Sequence, residues 1–281
     1  MKAIIDIGSN SVRLMLDEKQ GVNKKYLNST TLAEKLAITG RLIPEAIERT
    51  ADAVVDFYDA AKNMGADEIF VFGTEAMRAK GGEQLKEIIE SRVPVTVDIV
   101  SGETEALLGF AGCSEGRNCA VIDVGGASVE VVSGQKNKIT YAKSLKLGVV
   151  RTRDITGDDR QLIEDFYRIS VPGYDKVKAK QLIAIGGTAT SIASMILRQT
   201  TYDQTKTHGC FVSLENLRAL EDEVFSGIDI QKTFPTLSYK RSLVIKHGII
   251  VFKVLTEYLG FDGFTVSELD NMEGYIKLKC K

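Results

Sequence analysis

Apolar residues are distributed along the chain in two alternating patterns. Short continuous runs rich in β-branched and aromatic residues, such as 68–72 and Leu182–Ile185, are typical of buried strands. Over residues 44–62 the apolar positions recur at helical spacing, with proline at the start and Gly65 just after the end. That arrangement predicts an amphipathic helix. Because the two kinds of element alternate, we predict an α/β fold.

The same patterns predict the remaining elements. Ser101 stands where a helix N-cap belongs, before an apolar stretch that carries two glutamates in its first turns. The polar residues 151–159 are interpreted as a mobile connection. Further strands are predicted over 95–100, 120–123 and 264–266, and further helices over 102–110, 161–169 and 240–259, after Thr188 as far as Met195, and from Asn271 onward.

A nine-residue pattern occurs twice in the chain. The segment DIGSNSVRL at 6–14 aligns with DVGGASVEV at 123–131, and aspartate, glycine, serine and valine recur at one constant offset. Each copy is typical of a β-hairpin, in which an apolar strand ends in aspartate, a glycine-containing turn follows and an apolar return strand begins. The repeat therefore predicts two related hairpins that begin from Asp6 and Asp123.

The spacing of the repeat predicts the domain organisation. Asp123 follows Asp6 by 117 residues, which is the length of a domain and not of a solenoid repeat. A chain of 281 residues is also expected to form two domains. We predict domains over 1–117 and 118–281, with the C-terminal helix 271–281 packing back on the first.

Glycine-containing turns follow both aspartates and a third strand end. Backbone N–H groups in such turns point at phosphate oxygens, and a turn between a strand and a helix N-terminus is a phosphate-binding geometry. The alternative is that the aspartates only cap tight turns, and a single copy would favour that interpretation. Two copies and a third turn together favour phosphate binding. The predicted substrate-binding residues in these turns are Gly8, Ser9, Asn10, Ser11, Gly125, Gly126, Ser128, Gly186, Gly187 and Thr188.

Carboxylates at the hairpins indicate a divalent cation. Asp6, Asp123 and Glu130 are the predicted metal ligands, and Mg²⁺ suits them because it is held by few carboxylates and bridges to substrate phosphates. The alternative is that they are solvated or turn-capping acids. Glu130 occupies the position that Arg13 has in the first copy, so the hairpins differ in charge at one matched site. We interpret this difference as a division of labour.

Two acids begin the helix after Ser101, and each is a candidate general base. Phosphoryl transfer depends mainly on positioning and electrostatics, so one base is enough. Glu103 and Glu105 point to different sides of a helix, and the residues alone leave the choice open. For both, the alternative is an exposed first-turn acid favoured by the helix dipole.

Composition argues against several classes of partner. The net charge is −2, from 36 basic and 38 acidic residues, so no overall field would hold nucleic acid or a membrane surface. Four cysteines without CxxC spacing, no apolar run of membrane length and no leader-like start predict a reduced, cytoplasmic chain. His208 and His247 have no metal or nucleophile spacing and are interpreted as structural. The turn serines are therefore expected to donate hydrogen bonds and not to attack.

Six segments, in their order along the chain, resemble the motifs of one family: DIGSNSVRL, GTEAMR, SGETEALLGF, DVGGASVEVV, SLKLGVVR and IGGTATSIASM. The chain is similar over almost its whole length to the exopolyphosphatase and guanosine pentaphosphate phosphohydrolase family, Ppx/GppA. The order and spacing of the six segments distinguish this family from sugar kinases and actin-like chaperones of the same superfamily. The resemblance implies two ribonuclease H-like domains of the actin-like superfamily with an interdomain cleft.

The resemblance also implies a reaction. Water would attack a terminal phosphoryl group of inorganic polyphosphate or guanosine pentaphosphate, with Glu105 as general base. Glu130 would be its catalytic partner and would help to hold Mg²⁺ and the attacking water. Arg78 and Arg13 would bind the phosphate chain.

Three departures from the family pattern leave the substrate open. Ala127 replaces the usual third glycine of the second turn, residues 241–245 lack an expected acid, and residues 270–275 lack the arginine expected before Glu-Gly. Two alternatives therefore stay: a non-catalytic sensor of guanosine tetraphosphate or polyphosphate, and an actin-like sugar or acyl kinase that would consume ATP. The preferred chain length, the physiological metal and the oligomeric state, for which a homodimer is one option, are not decided by the residues.

Overall fold

The computed structural model describes residues 1–17, 23–136 and 138–280. Contacts within the chain divide it into two compact units, unit 1 over Met1–Glu105 and unit 2 over Ala106–Lys281. The division follows Glu105, whereas the sequence placed it after residue 117.

Unit 1 contains a mixed β-sheet and helices. Its strands are β1 Lys2–Ile7, β2 Val12–Leu16, β3 Lys25–Asn28, β4 Glu68–Gly73 and β5 Val97–Ile99. Over the described part of unit 1 the sheet order is β3-β2-β1-β4-β5. Strand β1 pairs antiparallel with β2 and parallel with β4. The helices are α1 Leu36–Thr39, α2 Pro44–Asn63 and α3 Gly82–Arg92, with a 3₁₀ turn at Glu75–Arg78 and helix α4 Gly102–Cys113 crossing into unit 2.

Helix α2 forms as its sequence predicts. Pro44 occupies the first turn, where a missing N–H costs no intrahelical hydrogen bond. One face of the helix is buried, through Ala46, Ile47, Thr50, Ala51, Ala53, Val54 and Ala61. The predicted amphipathic helix is therefore confirmed, and it extends one residue beyond the predicted end.

Unit 2 contains a larger mixed sheet. Its strands are β6 Cys119–Val124, β7 Val129–Gln135, β8 Lys138–Leu145, β9 Leu182–Ile185, β10 Phe211–Ser213 and β11 Gly263–Val266. Over the described residues of unit 2 the sheet order is β10-β11-β9-β6-β7-β8. The helices are α5 Val149–Thr156, α6 Arg160–Ser170, α7 Gly186–Ile196, α8 Gln204–Thr207, α9 Leu214–Phe225, α10 Ile230–Thr233, α11 Tyr239–Ser242, α12 Ile245–Leu259 and α13 Asn271–Lys279, with a 3₁₀ turn at Val171–Gly173.

The two sheets share one strand arrangement. In each, a three-stranded antiparallel meander (β1-β2-β3 or β6-β7-β8) is extended on the other side of its first strand by parallel strands, β4 and β5 in unit 1 and β9 and β11 in unit 2. The aspartates of the repeat, Asp6 and Asp123, lie near the carboxyl ends of β1 and β6. The predicted α/β fold with two like-ordered, ribonuclease H-like sheets is confirmed.

Three predictions from the sequence need correction. Residues 151–159, interpreted as a mobile connection, are mostly helix α5, whose first N–H groups find acceptors in the preceding hairpin turn. Residues 240–259 form two helices, α11 and α12, and α12 ends at Gly260 with φ near 82°. Strands β3, β8 and β10 were not predicted, because these strands have exposed positions and lack a clear apolar signal.

No helix within the described residues is both long and apolar enough to cross a membrane.

The second half of α4 belongs to unit 2 because it packs closely against α13. A Cβ atom added at Gly112 would lie 2.0 Å from the Asp270 carbonyl oxygen, and one at Gly274 would lie 1.9 Å from that of Leu108. Glycine is therefore required at both positions for the backbones to approach. The C-terminal helix was predicted to return to the segment 1–117, and it contacts that segment at residues of α4 that are part of unit 2.

Candidate active site

The first hairpin of the repeat contains an internal ion pair. Asp6 and Arg13 are opposite each other in the β1–β2 ladder, so their side chains lie on one face of the sheet. Arg13 Nε donates to Asp6 Oδ2 at 3.0 Å, and Nη2 forms an ion pair with the same oxygen. Asp6 is 3% exposed. The predicted metal ligand of unit 1 is thus held by the predicted phosphate-binding arginine of the same hairpin.

The second hairpin has the same turn but the opposite charge at the matched position. Gly125 N–H donates to the Ser128 carbonyl at 3.0 Å, just as Gly8 N–H donates to the Ser11 carbonyl at 3.0 Å. In the β6–β7 ladder Asp123 is opposite Glu130. The sequence alignment of the two hairpins therefore holds in three dimensions, with two acids where unit 1 has an aspartate and an arginine.

Two further side chains orient these acids. Ser144 Oγ, on β8, donates to Glu130 Oε1 at 2.5 Å. Asn271 Nδ2, at the start of α13, donates to Asp123 Oδ2 at 3.3 Å. Asn271 lies in the segment that departs from the family pattern, and its Oδ1 is buried without a hydrogen-bond partner. Reasoning from the sequence missed both residues, because neither is near the acids along the chain.

The acid pair of unit 2 fits the requirements of Mg²⁺. Like charges directly opposite in a sheet repel each other, so a cation between or beside Asp123 and Glu130 would stabilise the pair. Gly186, at φ near +83°, leaves room for Asp123, since a Cβ atom there would lie 2.5 Å from Asp123 Oδ1. Over residues 1–17, 23–136 and 138–280 no cluster of three or more His, Cys, Asp or Glu side chains is arranged for a metal. A two-carboxylate site suits Mg²⁺, which completes its shell with water and phosphate.

Backbone carbonyls of both turns are hydrogen-bonded to a following segment. In unit 1 the Ser9 and Asn10 carbonyls accept from the N–H groups of residues 33 and 31, both at 2.8 Å. In unit 2 the Gly125 and Gly126 carbonyls accept from the first N–H groups of α5 at 3.0 and 2.9 Å. Each turn is therefore fixed by its own unit before any ligand binds.

The third predicted turn also has a counterpart in unit 1. Thr188 Oγ1 donates to the Val124 carbonyl at 2.8 Å, and Thr74 N–H donates to the equivalent Ile7 carbonyl at 3.2 Å. Thr74 follows Gly73 at the end of β4, and Thr188 follows Gly187 in the first turn of α7, directly after β9. The repeat therefore extends to the third strand of each sheet. The sequence comparison did not reveal this, because Thr74 and Thr188 lie outside the repeated nonapeptides.

A buried arginine lies beside the third turn. Arg241 Nη1 donates to Thr188 Oγ1 at 3.2 Å, and a Cβ atom at Gly187 would lie 2.6 Å from Arg241 Nη2. Arg241 is 8% exposed. The sequence drew attention to residues 241–245 only because they lack an expected acid. It did not indicate that the Arg241 guanidinium lies next to the N-terminus of α7. A guanidinium and a helix N-terminus side by side favour a bound anion.

The candidate base lies in unit 1 and is ion-paired. Of the two acids that start α4, Glu105 is buried and Glu103 is exposed. Arg78 Nη1 donates to Glu105 Oε2 at 2.9 Å, and Arg78 Nη2 donates to Glu75 Oε2 at 2.6 Å. Burial lowers the pKa of Arg78, but Glu105 and then Glu75 outweigh it and hold this pKa above its ordinary value. The arginine is therefore a permanent cation between two acids.

Both histidines have structural partners. His247 is fully buried, with Nε2 2.9 Å from the Gly157 carbonyl oxygen and 3.2 Å from Thr156 Oγ1. Burial lowers its pKa to about 4. His208 Nδ1 accepts from the Glu268 N–H at 3.2 Å. These contacts agree with the structural role that the sequence indicated.

The two sheets share one strand order and carry paired hairpins, which defines a mixed α/β protein with a repeated hairpin arrangement. The sequence model of the Ppx/GppA phosphatase family matches residues 4–279, and the chain belongs to this family. The family is one of phosphatases.

Individual relatives agree with the family assignment. Exopolyphosphatase 2 of Mycobacterium tuberculosis is 25% identical, over 97% of this chain and 96% of its own length. Guanosine-5'-triphosphate,3'-diphosphate pyrophosphatase of Vibrio vulnificus is 25% identical, over 94% of this chain and 56% of its own length. The crystal structure of the Ppx/GppA family member of Aquifex aeolicus has a TM-score of 0.78 at 25% identity, covering 98% of this chain and 95% of that one. The chain spans about half the length of several curated relatives that it matches.

Proposed function

We propose that this chain hydrolyses the terminal phosphoanhydride bond of inorganic polyphosphate or of guanosine pentaphosphate, with Glu105 as general base. The proposal depends above all on the ion pair of Glu105 with Arg78, because it combines a buried carboxylate with an arginine in one unit. The relatives named exopolyphosphatase and guanosine-5'-triphosphate,3'-diphosphate pyrophosphatase support this substrate class.

Anion binding is assigned to cations and to the glycine turns. Arg78 would bind an oxygen of the terminal phosphoryl group, because a guanidinium matches phosphate geometry. The turn that starts α7, with Arg241 beside it, would bind a phosphate through backbone N–H groups. In unit 1 Arg13 is committed to Asp6, so we assign it a smaller share of substrate binding than Arg78.

The cation is proposed to be Mg²⁺, held by Asp123 and Glu130. When bound, it would neutralise charge on the phosphate oxygens and orient them. Ser144 and Asn271 would keep the two carboxylates aimed at it. Asp6, whose charge Arg13 balances, is the weaker of the predicted ligands.

In the proposed reaction a water oxygen attacks the terminal phosphorus in line with the bridging oxygen. The new P–O bond forms as the bridging P–O bond breaks, and the shortened chain leaves with the bonding electrons. Glu105 accepts the proton of the attacking water and later passes it to solvent. A carboxylate next to an arginine is held in its charged form, which is the form that can accept a proton.

The test is phosphate release from short and long polyphosphate and from guanosine pentaphosphate. Glu105→Gln should lower kcat by at least about 100-fold, the usual contribution of a general base. Glu103→Gln is the matched control, since this acid is two residues away and exposed, and it should stay within about twofold of the parent. Full activity of Glu105→Gln would exclude Glu105 as the base. Ligand binding without any phosphate release by the parent chain would instead support the sensor alternative.

A further inference from the structure

The guanidinium of Arg78 is shared between two carboxylates that approach it from different elements. Its Nη1 donates to Glu105 Oε2 at 2.9 Å and to the Val100 carbonyl oxygen at 2.7 Å, and its Nη2 donates to Glu75 Oε2 at 2.6 Å. Glu75 is on the same 3₁₀ turn as Arg78, three residues before it, whereas Glu105 is on α4. The two ends of the guanidinium therefore have different partners.

We propose that Glu75 is a positioning residue, which holds Arg78 in place while substrate phosphate displaces Glu105 from the guanidinium. This rests on the proposed function of Glu105 and deepens it. A phosphoryl oxygen that binds Arg78 competes with Glu105 for Nη1, because charge-assisted hydrogen bonds from arginine to phosphate are strong. Nη2 stays bonded to Glu75 throughout, so the arginine does not leave the site.

The exchange activates the base only when substrate is present. A carboxylate paired with an arginine is stabilised in its charged form and is a weak base. When phosphate takes over Nη1, Glu105 loses this stabilisation and becomes a better proton acceptor for the attacking water. The side chains of Arg78 and Glu105 are 23% and 8% exposed, so the pair is only partly screened by water and the exchange has a large electrostatic effect.

Glu75 is well suited to this role by its place in the chain. It is tied to Arg78 through one turn of backbone, and its side chain is 16% exposed. Its partner geometry requires only an oxygen acceptor, which a glutamine also supplies. Replacement by glutamine therefore keeps the anchor, and replacement by alanine removes it.

The first test measures binding without turnover. Imidodiphosphate, a non-hydrolysable P–N–P anion, is titrated calorimetrically into the full chain. Glu75→Ala should weaken binding about tenfold, Glu75→Gln should recover it to within about threefold of the parent, and Glu105→Ala should tighten binding about fivefold by removing the competitor. Glu83→Ala, an exposed acid in the first turn of α3, is the matched control and should bind like the parent.

The second test separates positioning from a general loss of structure. For polyphosphate hydrolysis, Glu75→Ala should raise KM about tenfold, with a smaller fall in kcat, and glutamine should restore KM. Imidodiphosphate binding by Glu75→Ala equal to that of the parent, or binding by Glu105→Ala no tighter than the parent's, would overturn the exchange. If Glu105→Gln still hydrolyses substrate while the binding pattern holds, the exchange stands and the assignment of the base falls.

Discussion

The hairpins of units 1 and 2 have the same backbone and opposite electrostatics. Both turns close with a glycine N–H to serine carbonyl bond of 3.0 Å. In unit 1 the aspartate faces Arg13, and in unit 2 the equivalent aspartate faces Glu130. A single matched position thus separates a hairpin with an internal ion pair from one in which two acids are opposite each other.

The two units share their backbone arrangement and differ in the side chains around the hairpins. The turn hydrogen bonds, the strand order and the threonine that caps the first strand are common to both units. The differences lie in side chains: Asp6 faces Arg13, whereas Asp123 faces Glu130, and Ser144 and Asn271 donate to these two acids of unit 2. The same hairpin backbone therefore carries an Asp–Arg ion pair in unit 1 and a pair of acids in unit 2.

The largest expected effect comes from making the second hairpin resemble the first. Glu130→Arg should place an Asp123–Arg ion pair where unit 1 has its own, and the fold should persist because the same backbone carries that pair in unit 1. Mg²⁺ affinity and phosphate release should both fall at least about 100-fold. Calorimetric Mg²⁺ titration and a phosphate assay measure this.

The control for Glu130→Arg is Glu115→Arg, which makes the same change in charge at an exposed position. It should leave Mg²⁺ binding unchanged. Mg²⁺ affinity retained in Glu130→Arg would show that the charge difference between the hairpins has no role in cation binding.

The converse change removes the internal cation of the first hairpin. Arg13→Gln should lower the free energy of unfolding by about 3 kcal/mol, because a buried carboxylate loses its partner. Urea unfolding at pH 7 measures this cost. The double variant Asp6→Asn, Arg13→Gln should recover most of it, and a loss below about 1 kcal/mol in the single variant would contradict the importance of this pair.

Acid should weaken unit 2 through a group that unit 1 lacks. The sequence has histidine only at positions 208 and 247, and buried His247 contacts the end of α5, whose start supports the second turn. Its pKa falls from the ordinary 6.5 to about 4 in the folded chain. Below pH 6.5 the unfolded chain therefore binds a proton that the folded chain does not, so stability falls as pH drops to about 4 and levels off below it.

This histidine contribution can be isolated by substitution. The difference in pKa corresponds to at most about 3 kcal/mol. His247→Gln should show a shallower loss of stability between pH 6.5 and 4 in urea unfolding. Equal pH dependence in both chains would mean that His247 does not carry the acid sensitivity.

The smallest effect concerns the space around Asp123. Gly186→Ala should cost about 2 kcal/mol of stability and lower Mg²⁺ affinity about tenfold, since the new methyl group would displace Asp123 Oδ1. Gly260 is the matched control, because its φ is near +82° and nothing lies within 4 Å of its Cβ position. Gly260→Ala should cost about 1 kcal/mol and leave Mg²⁺ affinity unchanged. Equal Mg²⁺ affinity in the two variants would contradict the steric argument.

The fold could be predicted from the sequence wherever a segment had a clear apolar run or a proline or glycine at the end of an element. The repeat gave the hairpins and their register, and Pro44 and Gly260 marked helix ends correctly. Strand β8 was missed because an exposed edge strand has no apolar face to reveal it. Helix α5 was missed because its start is stabilised by carbonyls of a turn more than twenty residues earlier.

The candidate site was predictable only where a residue belonged to a motif. The turns, Glu105 and Arg78 came from such patterns, and their proposed roles stay predictions. Ser144, Asn271 and Glu75 act through neighbours, and the only trace of that in the sequence is their polar side chain. Arg241 was noticed for a missing neighbour and not for its own charge. Contacts that depend on three-dimensional packing thus stayed hidden.

The close approach of Gly187 to Arg241 has an evolutionary consequence. With Arg241 Nη2 only 2.6 Å from the place of a Cβ atom at position 187, a side chain there can be accommodated only if residue 241 becomes shorter. The two positions should therefore change together among descendants of a common ancestor. Such covariation would record this contact in natural sequences, without any measurement on the protein itself.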